Sequence, residues 1–222
     1  MKKQIITTSD GTKTIHFPEW KESYHSKHGA LQEAKHVYIK SGLAFCLENM
    51  QSNSVKILEV GFGTGLNAIL SIIFAEKYNT IINYTCVEKY PLEEEIVENL
   101  DYSAVFPDQA TEFGRIHSCD WEEFENITSN FKLKKLQADL KTFKSNAEFD
   151  VIFFDAFGPR VQPELWSKPI LQNMYSALKQ GGIWVTYSCK GQVRRDLIEV
   201  GYKVEKIPGP PGKREMLRAI KV

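Results

Sequence analysis

The chain has 222 residues, 42% hydrophobic and 25% charged, which fits one ordinary globular domain, or one with a small appendage, with a full core, and excludes a disordered chain. Lysine and arginine number 28 and aspartate and glutamate 28, so no global field draws the chain to nucleic acid or to an anionic membrane. Any polyanion must be held by a local basic patch.

The elements follow from period and punctuation. Ile5 to Thr8, an Asp10-Gly11 turn and Thr12 to Phe17 read as a hairpin. After Tyr24-His25-Ser26-Lys27-His28-Gly29, a helix is expected from Ala30 to Asn49, burying Leu31, Ala34, Val37, Tyr38 and Leu43. Val55–Val60 reads as a strand, Thr64–Tyr78 as a helix, Ile81–Val87 as a strand ending at Glu88, and Pro91–Leu100 as a helix with proline in its first turn. Arg115–Cys119 is expected as a short strand and Trp121–Ile127 as the start of a helix. Ser129–Asn146 carries Lys132, Lys134, Lys135, Lys141 and Lys144 around Leu133, Leu136, Leu140 and Phe143. It reads as an amphipathic surface helix with a solvated lysine face, or, more sharply, as a phosphate-contacting face. Phe149–Phe154 is a hydrophobic strand ending at Asp155, and Ser167 to Lys179 is a helix stopped by Gly181-Gly182. A strand at Gly182–Ser188, a helix at Gln192–Val200 and closing strands at Tyr202–Lys206 and Met216–Val222 complete the chain. Alternating strands and helices imply a mainly parallel sheet covered on both faces.

The apolar runs are strand-length and interrupted, and no apolar segment of signal length follows Met1-Lys2-Lys3-Gln4. Cys46, Cys86, Cys119 and Cys189 are scattered without a C-x-x-C pair, so reduced thiols in a cytoplasmic protein are expected, with no membrane span and no metal site. His25 and His28 have no acidic or cysteine partners at ligand spacing, which argues against a metal there.

Ile57-Leu58-Glu59-Val60-Gly61-Phe62-Gly63-Thr64-Gly65-Leu66-Asn67 carries the most information. A buried strand meets three glycines and opens a helix, so the backbone can turn sharply, approach a ligand and present free N–H groups. A dinucleotide fingerprint needs its third glycine at position 66, which is Leu66. The spacing instead resembles the nucleoside-binding loop of S-adenosylmethionine-dependent methyltransferases, with a tight structural turn as the plain alternative.

In open α/β sheets ligands bind beyond the carboxyl ends of the strands. Glu59, Glu88, Asp120 and Asp155 stand at or just past such ends. Glu88 is expected at a ribose and Asp120 at an adenine amino group, although Asp120 before Trp121-Glu122-Glu123 would also serve as a helix cap. Phe153-Phe154-Asp155-Ala156-Phe157-Gly158-Pro159 puts a carboxylate, an aromatic ring and a rigid turn at the end of a central strand. It resembles the Asp/Asn-Pro-Pro-Tyr/Phe motif of methyltransferases that alkylate amino groups. There a carboxylate orients the amine lone pair and stabilises the charge formed on nitrogen. Near the C-terminus, Arg194-Arg195 and Lys213-Arg214 can flank one cleft and bind phosphate, or simply be solvated surface.

Taken together, Val60-Gly61-Phe62-Gly63-Thr64-Gly65-Leu66-Asn67, the acid before Lys89-Tyr90-Pro91-Leu92, Phe154–Pro159 with Pro163-Glu164-Leu165-Trp166, Gly181-Gly182, Thr186-Tyr187-Ser188, Val193-Arg194-Arg195 and Lys213-Arg214-Glu215-Met216 resemble the methyltransferase domain of the bacterial tRNA 5-methylaminomethyl-(2-thio)uridine biosynthesis enzymes. A weaker match covers Glu33 through Ile39.

The resemblance implies a Rossmann-like α/β methyltransferase fold with a mainly parallel seven-stranded sheet, in which residues 1–50 form a small hairpin and helix extension on a methyltransferase domain at 51–222. It implies S-adenosyl-L-methionine as cofactor, bound by Glu59, Gly61, Phe62, Gly63, Thr64, Gly65, Asn67, Glu88, Asp120 and Asp155. Asp155 and Phe157 are then the catalytic pair, and Arg194, Arg195, Lys213, Arg214 and Tyr187 contact the substrate. That substrate is the 5-aminomethyl group of wobble uridine in a tRNA anticodon stem-loop. Many relatives fuse this domain to a flavin-dependent oxidase. With Val222 as last residue a stand-alone form is expected, with a separate enzyme supplying the aminomethyl precursor. Two features depart from the family pattern: Gly158 stands where alanine is expected, and the lysine-rich segment is this chain's own. Spermidine-synthase-like aminopropyl transfer is disfavoured because Phe62 and Thr64 break that family's loop and residues 156–163 contain no acid. Methylation of another amine and a non-catalytic binding module are the remaining alternatives.

Overall fold

The computed structural model describes residues 2–50 and 52–222. β1 (Gln4–Thr7), β2 (Lys13–Phe17) and β3 (Glu22–Ser23) form a small antiparallel sheet. α1 (Ala30–Ala34) continues through a π-helical stretch, Lys35–Ala44, into α2 (Phe45–Glu48), one rod over nearly the expected span but wound wider in its middle. In that stretch Ser41 donates its hydroxyl to the His36 carbonyl at 2.8 Å. The rod presses on the main sheet at Gly42, where a Cβ would come within 2.8 Å of Val185 and 3.1 Å of Phe153. The expected division between residues 50 and 51 falls at a position outside the described residues. Ile15, Phe17, Val37 and Tyr38 lie in one buried cluster with Ile57, Ile69 and Phe153, so the N-terminal elements share the main core.

The chain then alternates: β4 (Ser54–Val60), α3 (Leu66–Tyr78), β5 (Ile81–Glu88), α4 (Glu94–Leu100), α5 (Tyr102–Val105), α6 (Ala110–Ser118), β6 (Phe124–Asn126), β7 (Phe131–Gln137), β8 (Phe149–Phe154), α7 (Lys168–Ala177), β9 (Leu178–Thr186), α8 (Gly191–Val200), β10 (Tyr202–Pro208) and β11 (Glu215–Lys221). The main sheet has eight strands in the order β10-β11-β9-β8-β4-β5-β7-β6. β9, β8, β4, β5 and β7 are parallel, and β6, β10 and β11 run antiparallel to their neighbours. Both β5 and β8 pair with β4, so strand order reverses there and a crevice opens at the carboxyl ends of β4 and β8. Every residue of β8 is buried, Phe153 toward the face covered by α3 and the N-terminal rod and Phe154 toward the face covered by α7 and α8. Among the described residues no helix is long and apolar enough to cross a membrane.

Three expectations are corrected in the segment between β5 and β8. Residues 115–119 close helix α6 rather than forming a strand, and 124–126 form edge strand β6 rather than a helix; with one expected strand lost and two gained, β6 and β7, the sheet has eight strands instead of seven. The lysine-rich segment is not a helix: Phe131–Gln137 is β7, paired along its whole length with β5. Its apolar residues fit a helical stripe equally well. The period-2 alternation of buried Phe131, Leu133 and Lys135 with less buried Lys132, Lys134 and Leu136 prevails because β5 supplies the partner edge. Lys135 is 1% exposed, donates to the His117 carbonyl at 2.7 Å and lies 4.9 Å from the Trp121 ring centre, so it belongs to no solvated face. Gly181-Gly182 likewise do not end a helix. α7 stops at Ala177, and the glycines lie inside β9 where its register with β8 shifts.

Candidate active site

β4 delivers the glycine loop to the crevice. Gly61 sits at φ 87° and a Cβ on it would lie 3.1 Å from the Asp155 carbonyl, so the loop closes directly on the end of β8. Gly63 sits at φ 51°, with the Tyr24 ring 2.9 Å from where its Cβ would be. Both features select glycine. Glu88 at the end of β5 reaches this loop: its carboxylate accepts from the Gly63 N–H at 3.2 Å and the Tyr90 N–H at 2.8 Å, while burial raises its pKa. Thr64 is gripped from two sides, by His117 Nε2 at its carbonyl (3.2 Å) and by His25 Nε2 near its hydroxyl (3.5 Å). Burial holds both imidazoles down at about 4, so they are neutral at physiological pH.

Asp155 stands at the centre. Its Oδ1 accepts the Tyr38 hydroxyl at 2.6 Å and its Oδ2 accepts the Asn67 amide at 2.8 Å. The same amide nitrogen donates to Oε1 of Glu59, also at 2.8 Å. Burial pushes the Asp155 carboxyl up to about 7, against the two hydrogen bonds that favour its charged form. Glu59 is raised well above the carboxylate range, chiefly by burial. A carboxylate between neutral donors, titrating near neutrality, can both hold and release a proton under working conditions.

Beyond Asp155 the wall is aromatic. Phe157 meets Phe17, Trp20 and Tyr24 edge-on, with ring centres 5.7, 5.6 and 5.1 Å away. The Tyr187 hydroxyl donates to the Ala156 carbonyl at 3.0 Å and braces this turn. The whole cleft encloses about 700 Å³, room for a nucleoside cofactor and a second group.

Gly61, Phe62, Gly63, Thr64, Asn67, Glu88, Asp155, Phe157 and Tyr187 line this cleft together. Glu59 and Gly65 lie behind it, the first joined through Asn67 and the second packed against His117 and Ile116. Asp120 does not join them: it is exposed and borders a separate small hollow with Arg115 and Glu125. The strand beside β5 is β7, not 115–119, so the acid past the neighbouring strand end that lines the cleft is Asp139. The C-terminal basic residues also lie off the cleft lining. Arg195 and Arg214 are exposed and Arg194 is half-buried, whereas the Lys213 ammonium is engaged by Glu33 at 2.5 Å. Sequence reasoning passed over Tyr38, Tyr24, Trp20 and His25. The helical period marks Tyr38 as a core residue, and nothing local distinguishes a core phenol from one aimed at a carboxylate far along the chain.

The glycine loop calls for a nucleoside-bearing ligand, and the residues fit one. Oε2 of Glu59 and Oδ1 of Asn67 are buried without a hydrogen-bond partner among the described residues, and Asn67, which lines the cleft, leaves an acceptor beside the loop for a ligand donor. Glu88 can exchange its backbone partners for ribose hydroxyls. Among the described residues no cluster of histidine, cysteine and acidic side chains could hold a metal.

Comparison with known proteins agrees with this geometry. A family described as S-adenosyl-L-methionine-dependent methyltransferase matches residues 106–222. A Leptospira interrogans protein named tRNA 5-methylaminomethyl-2-thiouridine biosynthesis bifunctional protein MnmC is 31% identical over 212 residues, covering 90% of this chain and 32% of the relative. The chain thus spans about a third of the length of such curated relatives. The crystal structure of MNMC2 from Aquifex aeolicus superposes with a TM-score of 0.76 at 26% identity, covering 98% of this chain and 70% of that one. Spermidine synthase from Thermotoga maritima, at 15% identity and a TM-score of 0.52 over 98% of this chain and 72% of that one, shares the fold alone. This chain belongs to the S-adenosyl-L-methionine-dependent methyltransferase family.

Proposed function

We propose that the chain methylates the 5-aminomethyl nitrogen of wobble uridine in tRNA, giving 5-methylaminomethyl-(2-thio)uridine. The name of the Leptospira interrogans relative and the fold shared with MNMC2 support this reading. The observation that carries it is Asp155, a carboxylate with only neutral donors, between the glycine loop and the Phe157 wall. The bound cofactor would supply an electrophilic methyl group on a sulfonium. Asp155 accepts an N–H of the incoming amine, which directs the lone pair across the cleft and lets the carboxylate take up the proton that the nitrogen must lose. The same charge stabilises the methylated ammonium as it forms. Phe157 and Trp20 line the part of the cleft that would receive a pyrimidine lifted out of the anticodon loop, where bases are already unpaired. The anticodon stem-loop is the expected partner and the cytoplasm the expected compartment.

The test is incubation with labelled S-adenosylmethionine and tRNA lacking this methyl group, followed by nucleoside analysis. Label in 5-methylaminomethyluridine supports the reading. Folded protein that binds S-adenosylhomocysteine yet leaves such tRNA unlabelled overturns it.

A further inference from the structure

Asp155 is surrounded by acids and phenols. Tyr38 of the N-terminal rod donates to it, and Tyr187, whose hydroxyl donates to the adjoining Ala156 carbonyl, carries the Lys213 ammonium over its ring. Glu33, five residues before Tyr38 on the same rod, and Glu59 and Tyr84 on β4 and β5 also act on its charge. Lys213 is the one cation in that set, and it is committed elsewhere. Its ammonium lies 2.5 Å from Oε1 of Glu33 and 4.2 Å from the centre of the Tyr187 ring. Glu33 is 7% exposed, and its other oxygen accepts the Ser26 N–H at 2.9 Å. A buried carboxylate on a five-residue helical segment needs such partners to be tolerated. Partnership alone does not explain why an ion pair is built beside a functional carboxylate.

We propose that Glu33 reserves Asp155 for the acceptor amine: by engaging Lys213 it keeps the neighbouring ammonium off the catalytic carboxylate, whose cationic partner is then the substrate nitrogen. This rests on the reading of Asp155 as the amine-facing group. With Glu33 neutralised, the Lys213 ammonium is attracted to Asp155, which then holds a fixed counter-ion and accepts a proton from the amine less readily. With Lys213 removed, the unpaired charge of Glu33 opposes ionisation of Asp155. The two changes push Asp155 in opposite directions, and making both cancels them. Glu33 and Lys213 are therefore positioning residues acting through Asp155.

The experiment compares Glu33→Gln, Lys213→Met and the double variant with the unaltered chain. The Asp155 titration midpoint is read by carbon NMR on aspartate-labelled protein, its signal identified by loss in Asp155→Asn, and single-turnover tRNA methylation is measured alongside. Glu33→Gln should lower the midpoint by about half a unit or more and slow methylation about tenfold or more. Lys213→Met should raise the midpoint. The double variant should return it toward its original value and recover most of the rate, which loss of a mere strut would not do. An unchanged or raised midpoint in Glu33→Gln, or a double variant no faster than that single one, overturns the inference. If Lys213→Met alone does not fold, the other two variants decide. Because the midpoint is read without tRNA, shifts of the expected sign in a chain that leaves tRNA unmethylated overturn the substrate reading, not the pairing.

Discussion

Tyr38 donates its hydroxyl to Oδ1 of Asp155 at 2.6 Å, across 117 positions of chain. The bond joins the π-helical part of the N-terminal rod to the end of the most buried strand. The N-terminal elements thus help enclose Asp155, since Tyr24 and His25, which line the same cleft, also come from them.

Removing that bond should raise the Asp155 pKa. Burial lifts it to about 7 and the Tyr38 hydrogen bond opposes the lift, so Tyr38→Phe leaves the burial effect less compensated. The acidic limb of the pH–rate profile should move upward, with activity at pH 7 falling by up to about tenfold while activity at high pH is largely retained. S-adenosylhomocysteine affinity should stay within about twofold, because the bond does not touch the glycine loop. An acidic limb that does not move would remove Asp155 as the group it reports.

Asp155 should also mark stability against pH. Its folded pKa of about 7 exceeds the ordinary 3.8, so the stability it contributes is fully present below pH 3.8 and is lost as pH rises through 7. Asp155→Asn cannot ionise and escapes that loss. The melting temperature of the variant relative to the unaltered chain should climb between about pH 4 and pH 7 and then level off. The different hydrogen bonding of an amide to Tyr38 and Asn67 adds a constant offset only. Melting curves across this range decide the matter, and a difference that is flat with pH would mean the carboxyl is not strained by burial.

Much of the site is legible in local sequence because it sits at strand ends of a common supersecondary unit. Gly61, Gly63, Glu88 and Asp155 are found by spacing alone, since a buried strand and the turn after it fix where each points. The region between β5 and β8 is not legible in the same way. Phe131, Leu133 and Lys135 alternate at period 2 while Leu133, Leu136 and Leu140 keep helical period, and the choice is made by β5, which sequence cannot see. That misreading moves Asp120 into the cleft on paper, while in the folded chain Asp139 lines it. Tyr38, Glu33 and Lys213 are beyond local reading for a different reason. Each is an unremarkable helix or turn residue until a partner distant in sequence gives it a role.

Cofactor affinity should separate these two acids. Glu88→Ala removes an acceptor aimed at the glycine loop and should weaken S-adenosylhomocysteine binding by roughly tenfold or more, from charge-assisted hydrogen bonds worth about 1.5–3 kcal/mol. Gly63→Val should abolish binding, since its φ of 51° and the Tyr24 ring leave no place for a side chain. Asp120→Ala should bind as tightly as the unaltered chain, and Asp139→Ala more weakly. Calorimetric titration checks all four. A loss at Asp120 equal to that at Glu88 would place the adenine on the wrong side of β7.

The remaining prediction concerns how a chain with 28 basic and 28 acidic residues holds a polyanion. Arg195 and Arg214 are exposed, and neither forms an ion pair among the described residues. Lys213 between them in function is not equivalent, because its ammonium already binds Glu33. Arg195→Ala and Arg214→Ala should each raise the Michaelis constant for tRNA and reduce the salt dependence of binding by about one unit per lost phosphate contact, with cofactor affinity unchanged. Lys213→Ala should lower the methylation rate instead, with the salt slope nearly intact. Lys132 and Lys134 alternate along β7 with buried neighbours, and their joint replacement should leave tRNA binding unaltered. Tracking tRNA binding against salt for these variants distinguishes the faces. If only the β7 lysine variant loses affinity and slope, tRNA docks along the β7 edge, and the C-terminal arginines are solvated surface.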